Sequence, residues 1–407
     1  MARQQHMILS GCLFLLLFFA TFDPADKILG LKLPAFILCW LVFLFFYVLK
    51  PVKVARAVYV YIFLMLFIPI LSMLYFHVFL GGGKSAAFIL IKAQLFVSLI
   101  YILVAARIDI IPMLSRILSL LACTIIGVKA LILLSPELLP VIQIFGSAYG
   151  ILLLGDRSFA DSASFQQIYF VTSPMLVIAI AYYSDKACRV GFFSKYTFLT
   201  LLTTLGMIFA GTRSNMIGPF LVLIIVVFYN TKNKTLFLSI VICALILFLA
   251  TFYNTIIEVL SFEEKSNSSK LILFQDYVNI FTDPVNLIFG QGFGSYYDWG
   301  IRGNYFISEL SYLELIRVYG LFLGACVAVL ILYPLLFVMF SRREFSNKAS
   351  IAGFTVYMAI AALNPLIFSS LGMTIISAFV ANIFRSREFN DVYISDTLGQ
   401  SKVIGSS

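Results

Sequence analysis

The chain has 407 residues, of which 62% are hydrophobic and 12% charged, about half the charged share of an ordinary soluble domain. With a mean hydropathy of +1.03 and a net charge of +9, a water-soluble globular protein is excluded and lipid is the main solvent. At roughly 20 apolar residues per span plus connections, the length accommodates roughly ten to twelve transmembrane helices.

In chain order, apolar runs between charged punctuation predict twelve spans, at about residues 7 to 22, 33 to 49, 57 to 80, 86 to 106, 117 to 134, 168 to 184, 196 to 210, 215 to 229, 236 to 253, 313 to 340, 349 to 363 and 366 to 384. Continuously apolar stretches such as LFLSIVICALILFLA satisfy their backbone groups as helices, whereas a barrel strand alternates apolar and polar. The expected fold class is therefore all-α, a single polytopic bundle over 1–384 followed by a tail at 385–407.

Arg3 precedes the first apolar run, but no small-residue cleavage site follows before Asp23, so this run reads as an uncleaved anchor. With that end cytoplasmic, seventeen of the 28 Lys and Arg residues fall on the cytoplasmic side, mostly in short loops. Nine fall outward, over longer connections: Lys27, Lys32, Lys84, Arg157, Arg213, Lys265, Lys270, Arg302 and Arg317. This asymmetry predicts both termini in the cytoplasm and makes the positive charge a topology signal, with no nucleic-acid partner implied. The six cysteines lie in spans or in a cytoplasmic loop, without disulfide or metal-ligand spacing.

Lys92 and Lys129 sit inside spans, roughly 8 to 10 Å from the outward boundary at 1.5 Å per residue. If both face the interior they add positive potential above an outward cavity; long lysine stems also reach the interface from that depth. Two outward loops are long, at about 135–167 and 254–312. Between them, Arg213 stands in AGTRSNMIG at the outward start of a span, where exposed amides at a helix N-terminus and a guanidinium make an anion site. A snorkelling interfacial arginine is the plain alternative.

In the larger loop, Ser268 or Ser269 is expected to cap a helix LILFQDYVNIF that stops at Asp283-Pro284 and lies on the outer membrane face, being too short to span. FGQGFGSYYDWG follows. A phosphate-cradling loop needs a preceding strand and a following helix, so Gly290, Gly292 and Gly294 read as a turn close to packed helices. Glu309 opens SELSYLELIRVYG, where a carboxylate complements a helix dipole, and Arg317 has an i,i+3 partner in Glu314. His77 and His6 are the only histidines, too few and too poorly placed to draw a catalytic triad from.

Three stretches resemble the O-antigen polymerases and the related O-antigen ligases, bacterial inner-membrane enzymes of surface polysaccharide assembly. They are GTRSN at 211–215, DPVNLIFGQGFGS at 283–295 within the late outward loop, and ELSYLELIRVYGLFLG at 309–324. The last is similar to a loop-to-helix motif that many members write His-Asn-x-Tyr-Leu and close on a glycine. Aligned on Gly320, Glu309 stands where ligases carry a catalytic histidine and Leu310 where they carry Asn, which is closer to the polymerase branch.

The resemblance implies transfer of a growing glycan from one undecaprenyl-pyrophosphate carrier to a repeat unit on another, at the periplasmic face, without a nucleotide or other cofactor. It assigns Arg213, helped by Arg157, Lys270 and Arg302, to the pyrophosphate, and Glu309 to the acceptor proton. Tyr312 is expected to pack on a sugar ring, or to be an interfacial tyrosine; Arg317, Lys92 and Lys129 complete the candidate binding set. Implied partners are the two lipid-linked glycans, the bilayer, and the pathway's flippase and chain-length regulator. A ligase passing glycan to a lipid acceptor, and a carrier for lipid-linked sugars, are the alternatives; a carrier would draw on Lys92 and Lys129, but no internal repeat is visible.

Overall fold

The structure is a computed structural model that describes residues 2–47, 54–82, 85–159, 163–191, 193–251, 265–298, 304–340 and 348–386, with the backbone alone at a few positions, among them Arg157 and Lys265. Its helices are α1 (Ala2–Phe22), α2 (Lys32–Tyr47), α3 (Arg56–Phe79), α4 (Ala86–Ala105), α5 (Ile111–Leu134), α6 (Leu139–Tyr149), α7 (Leu176–Val190), α8 (Lys195–Phe209), α9 (Arg213–Asn230), α10 (Lys234–Thr251), α11 (Lys265–Phe281), α12 (Pro284–Phe289), α13 (Ser311–Phe340), α14 (Lys348–Ala361) and α15 (Ser370–Ser386). Each predicted apolar run falls on a helix. Six of these, α1, α3, α4, α5, α9 and α13, are long and apolar enough to cross a membrane, and the molecule is a membrane-embedded helical protein.

The innermost helix is α7. Leu176, Val177, Ile178, Ala179, Ile180 and Ala181 are all buried, because α5, α8, α9 and α14 surround it. Close approach is paid for with small side chains: a Cβ on Gly353 of α14 would stand 2.7 Å from that of Ala181. The outer helices turn large apolar side chains away from the protein, among them Phe45, Phe63, Phe220 and Phe322. Lipid replaces a protein partner there.

Four expectations are corrected. The run predicted from residue 168 becomes helical only at Leu176, since Ala163–Phe170 is strand β2 and Pro174, which lacks an N–H, opens a 3₁₀ turn at Ser173–Met175. β2 pairs antiparallel with β1 (Leu152–Phe159), from Leu152 opposite Phe170 to Phe159 opposite Ala163, so the 135–167 loop is a short helix and a hairpin. α11 begins at Lys265, which puts Ser268 and Ser269 inside the helix and not at its cap. It ends at Phe281 as expected, and the Asp283 carboxylate accepts the Val285 N–H at 2.9 Å to start α12.

The fourth correction concerns α13, read from sequence as one continuous span. At Gly320 the backbone leaves the helix (φ 77°, ψ 170°), and a Cβ on Gly324 would lie 2.8 Å from the Leu315 carbonyl oxygen. Nine residues of unbroken helix would separate 315 and 324 by about 13 Å, so the chain doubles back at a tight corner. The corner strips two carbonyls of their helical donors. Gln291 N–H donates to the Arg317 carbonyl at 2.6 Å, Gly292 N–H to that of Val318 at 3.1 Å, and the Ser72 hydroxyl of α3 also donates to Val318 at 2.9 Å. Gly290 and Gly292 both have positive φ, and a Cβ on Gly290 would meet the Gly320 nitrogen at 2.5 Å. The glycine-rich turn is thus packed against helices, as its sequence predicted.

Candidate functional site

At the end of the bundle where α1 stops and α7 and α15 start, a cavity of about 560 Å³ opens between elements remote in sequence, a size usual for small-ligand sites. Its walls come from the α1–α2 connection (Pro24), the hairpin (Leu153, Tyr169), the entry to α7 (Thr172), α11 (Leu273), the approach to α13 (Ser308, Glu309) and the α14–α15 connection (Asn364, Ser369). Each wall is fixed locally. Asp23 folds the α1–α2 connection by accepting N–H groups of Lys27, Ile28 and Leu29 at 2.9, 3.1 and 2.9 Å. Burial pushes the Asp23 carboxyl up, but those N–H groups and that of Gly30 outweigh it and hold it below its ordinary value. Lys129 Nζ donates to the Gln166 carbonyl at 3.0 Å and ties the hairpin to α5. Ser369 accepts the Gly372 N–H at 3.0 Å as the cap of α15, and Ser311 donates its hydroxyl to the Asn364 carbonyl at 2.6 Å.

Glu309 lines this cavity together with Tyr169. Burial, and then the Glu309 carboxylate, push the Tyr169 phenol up to about 12. Tyr169 therefore stays protonated at neutral pH and can donate a hydrogen bond into the cavity.

Arg213 stands at the first turn of α9, where Thr212 caps the helix by accepting the Asn215 N–H at 3.2 Å. Its Nη1 donates to Asn267 Oδ1 of α11 at 2.8 Å. Fully buried Asn215 donates from Nδ2 to the Ser173 hydroxyl at 2.9 Å, linking the start of α9 to the start of α7 beside the cavity. From Asn267 to Leu273 is six residues, or about 9 Å along the helix axis. Arg213 and the Glu309 cavity are thus joined by one helix.

The same helix reaches a third cluster. Tyr277 Oη donates to Glu314 Oε2 at 2.7 Å, and Glu314 accepts a bidentate pair from Arg317, 2.9 Å from Nε and 2.6 Å from Nη2. The rest of the guanidinium donates to Gln291 Oε1 at 2.9 Å, Ser295 Oγ at 2.8 Å, and the carbonyls of Ser295 and Phe306 at 3.3 Å each. Both Glu314 and Arg317 are fully buried, so an ion pair that would be marginal in water is held in a dry site by an extended polar network. The i,i+3 pairing is the one expected from sequence; the network around it was not visible there.

The other sequence candidates are placed as follows. Tyr312 is half-buried, with its hydroxyl 3.5 Å from the Met358 carbonyl. Lys270 is half-buried on α11, and Arg157 lies on β1 opposite Phe165. Arg302 lies outside the described residues. Lys92 does not face the interior: it is exposed in line with Phe88, Ile89 and Leu95, because this stripe of α4 is the apolar surface. Residues not anticipated from sequence are Tyr169, assigned to a span when read as a run, Thr172, Asn364 and Ser369, which carry no motif. Among the described residues no cluster of three or more His, Cys, Asp or Glu forms a metal site.

Fold and site define a membrane-embedded helical bundle with a largely apolar cavity at one end, walled in part by α11 and the β1–β2 hairpin. No family model matches the chain, and no curated protein matches it.

Proposed function

We propose that the chain is a lipid-linked oligosaccharide polymerase, with twelve spans, both termini in the cytoplasm of a bacterium and the cavity facing the periplasm. One observation supports this reading: α11 meets Arg213 near one end, at Asn267, and walls the cavity of Glu309 near its middle, at Leu273, so one helix links the cation and the carboxylate. The donor glycan is activated by its undecaprenyl-pyrophosphate leaving group. Glu309 takes the proton of an acceptor hydroxyl, the hydroxyl oxygen bonds to the anomeric carbon, and the bond from that carbon to the pyrophosphate oxygen breaks with its electron pair. Arg213 and the amides that open α9 hold the negative charge that develops on the leaving group. Lys270 adds positive potential on the same helix. No nucleotide is called for.

Glu309 in place of a histidine favours polymerase over ligase, and the outward turn of Lys92 leaves a carrier reading with one intramembrane cation fewer. The partners are the two lipid-linked glycans, with the flippase and chain-length regulator of the same pathway. Arg213→Ala and Glu309→Gln are each expected to leave single repeat units in place of long chains on a glycan ladder, with the protein inserted at normal level. Long chains of ordinary length in both variants would refute the assignment. Polymer retained on the carrier in a deletion strain would point to a ligase, and loss of even single units to a flippase.

A further inference from the structure

We infer that α6 is an interfacial helix: it lies along the membrane surface at the cavity end of the bundle, sets Val141, Ile144 and Phe145 among lipid acyl chains, and so fixes the cavity mouth at the level of the headgroups. The placement of α6 stands without the polymerase reading; its use by a lipid-linked substrate rests on it.

Both ends of α6 are tied to places where helices of the bundle stop. It follows α5 after one 3₁₀ turn, Pro136–Leu138, which at about 2.0 Å per residue carries the chain roughly 10 Å past Leu134. At the other end Gly150 caps the helix in the left-handed conformation (φ 66°), and a Cβ there would lie 3.5 Å from that of Ala25, in the connection between α1 and α2. A helix of 11 residues, roughly 16 Å long, with both ends at that level lies across the end of the bundle and not along its axis.

Around its circumference α6 has three sectors. Leu139, Ile142, Gly146 and Tyr149 recur every three or four residues and face the protein: the three side chains pack on the core, and a Cβ on Gly146 would stand 2.7 Å from the Leu152 carbonyl oxygen of β1. Gln143 and Ser147, one turn apart and exposed, form a polar edge beside that face. The third sector holds Val141, Ile144 and Phe145, exposed by 63, 69 and 53%. A helix seated beside a bundle in the interface needs this division, one side for protein, one for water and one for lipid. Continuity names the occupant of the apolar sector. Leu131, Leu133 and Leu134 are exposed at the end of α5, a helix long and apolar enough to span, and the apolar sector of α6 begins just past them.

The seat of α6 reaches the cavity through the hairpin. Its protein-facing side packs on β1, and β1 carries Leu153, which lines the cavity and is itself exposed. Holding α6 in the interface holds that wall at the same depth. The cavity then opens where the head of a lipid-linked molecule already lies, and such a substrate reaches Glu309 without drawing its tail out of the bilayer.

Full-length protein in phosphatidylcholine vesicles, with iodide on both sides of the membrane, tests this through the tryptophan emission that a variant adds to that of the native chain. Phe145→Trp and Ile144→Trp are each expected to lose most of the added emission to lipids with brominated acyl chains and little of it to iodide. Gln143→Trp should show the reverse. Leu153→Trp should be quenched more by a nitroxide carried on the lipid headgroup than by bromines deep in the chains. Quenching of positions 144 and 145 by iodide alone would put the apolar sector in water, and protection from both quenchers would show protein covering it; either result overturns the inference. Quenching of Leu153→Trp by iodide but not by the headgroup nitroxide would overturn the depth assigned to the cavity. The expected quenching pattern, combined with normal glycan ladders in Arg213→Ala and Glu309→Gln, would keep the interfacial helix and remove the polymerase.

Discussion

Glu314 and Arg317 lie one turn apart, both fully buried, and neither can be removed alone without exposing the other's charge to a dry site. Removing one partner of a buried pair leaves an uncompensated charge and typically costs about 3–5 kcal/mol. Arg317→Ala is therefore expected to lower the melting temperature and the yield of monodisperse protein in detergent. The double change Glu314→Gln with Arg317→Met should recover part of the loss, which differential scanning fluorimetry would register. Asp276, next to Tyr277 in α11, gives a pH signature. Burial, and then the neighbouring Asp298 carboxylate, hold its carboxyl above the ordinary value. A raised acid stabilises the fold below its unfolded pKa and loses that contribution as pH rises through the folded one. Hydrogen-exchange protection of Tyr297 and Asp298 should thus increase as pH falls into the carboxylate range, and Asp276→Asn should flatten the dependence. At this scale the sequence disclosed the Glu314–Arg317 spacing and singled out Arg213 and Glu309. It could not disclose Tyr277, Gln291 or Ser295, since they reach Glu314 or Arg317 from 22 to 37 residues away through a corner that no local pattern signals.

Among the elements, helix positions were legible because a continuous apolar run has one way to satisfy its backbone in lipid. What failed was continuity. The first nine residues of α13 carry Glu314 and Arg317, which the sequence offers as a plain i,i+3 pair, and Gly320 before the apolar run that follows reads as tolerated. Only the partners for the freed carbonyls of Arg317 and Val318, all outside the run, make the break favourable. Gly320→Ala should therefore destabilise the protein by more than the ~1 kcal/mol of left-handed strain alone, because a Cβ there would also overlap the Ile288 carbonyl. A loss of thermal stability in that variant several-fold larger than in Gly127→Ala, whose Cβ meets nothing within 4 Å, is the expected result. β2 was missed for a related reason. Its last three residues, Ile168, Tyr169 and Phe170, are apolar enough to extend the following run, and the hydrogen bonds that make it a strand come from β1.

For the whole molecule, charge arithmetic proposes a direction across the membrane, and that direction is testable on the native chain. Cys188, exposed at the end of α7 remote from the cavity, lies on the proposed cytoplasmic side. A membrane-impermeant maleimide should label it in inverted vesicles and not in intact spheroplasts, and the reverse pattern would invert the topology. The cavity, in contrast, was beyond reading from sequence: its walls are drawn from segments scattered along the chain, from Pro24 to Leu371, that no local pattern joins.

The corner at Gly320 also has a consequence for biosynthesis. The N–H groups that satisfy its exposed carbonyls belong to Gln291 and Gly292, which leave the ribosome some 26 residues ahead of the atoms they serve and, in the proposed topology, are already across the membrane when the corner emerges. The corner therefore has its partners waiting at the moment of its own synthesis and never has to sit unsatisfied in lipid. Run in the opposite chain order, the same contacts would ask a naked turn to wait in hydrocarbon for its donors, so the direction of translation is part of what makes this bend admissible.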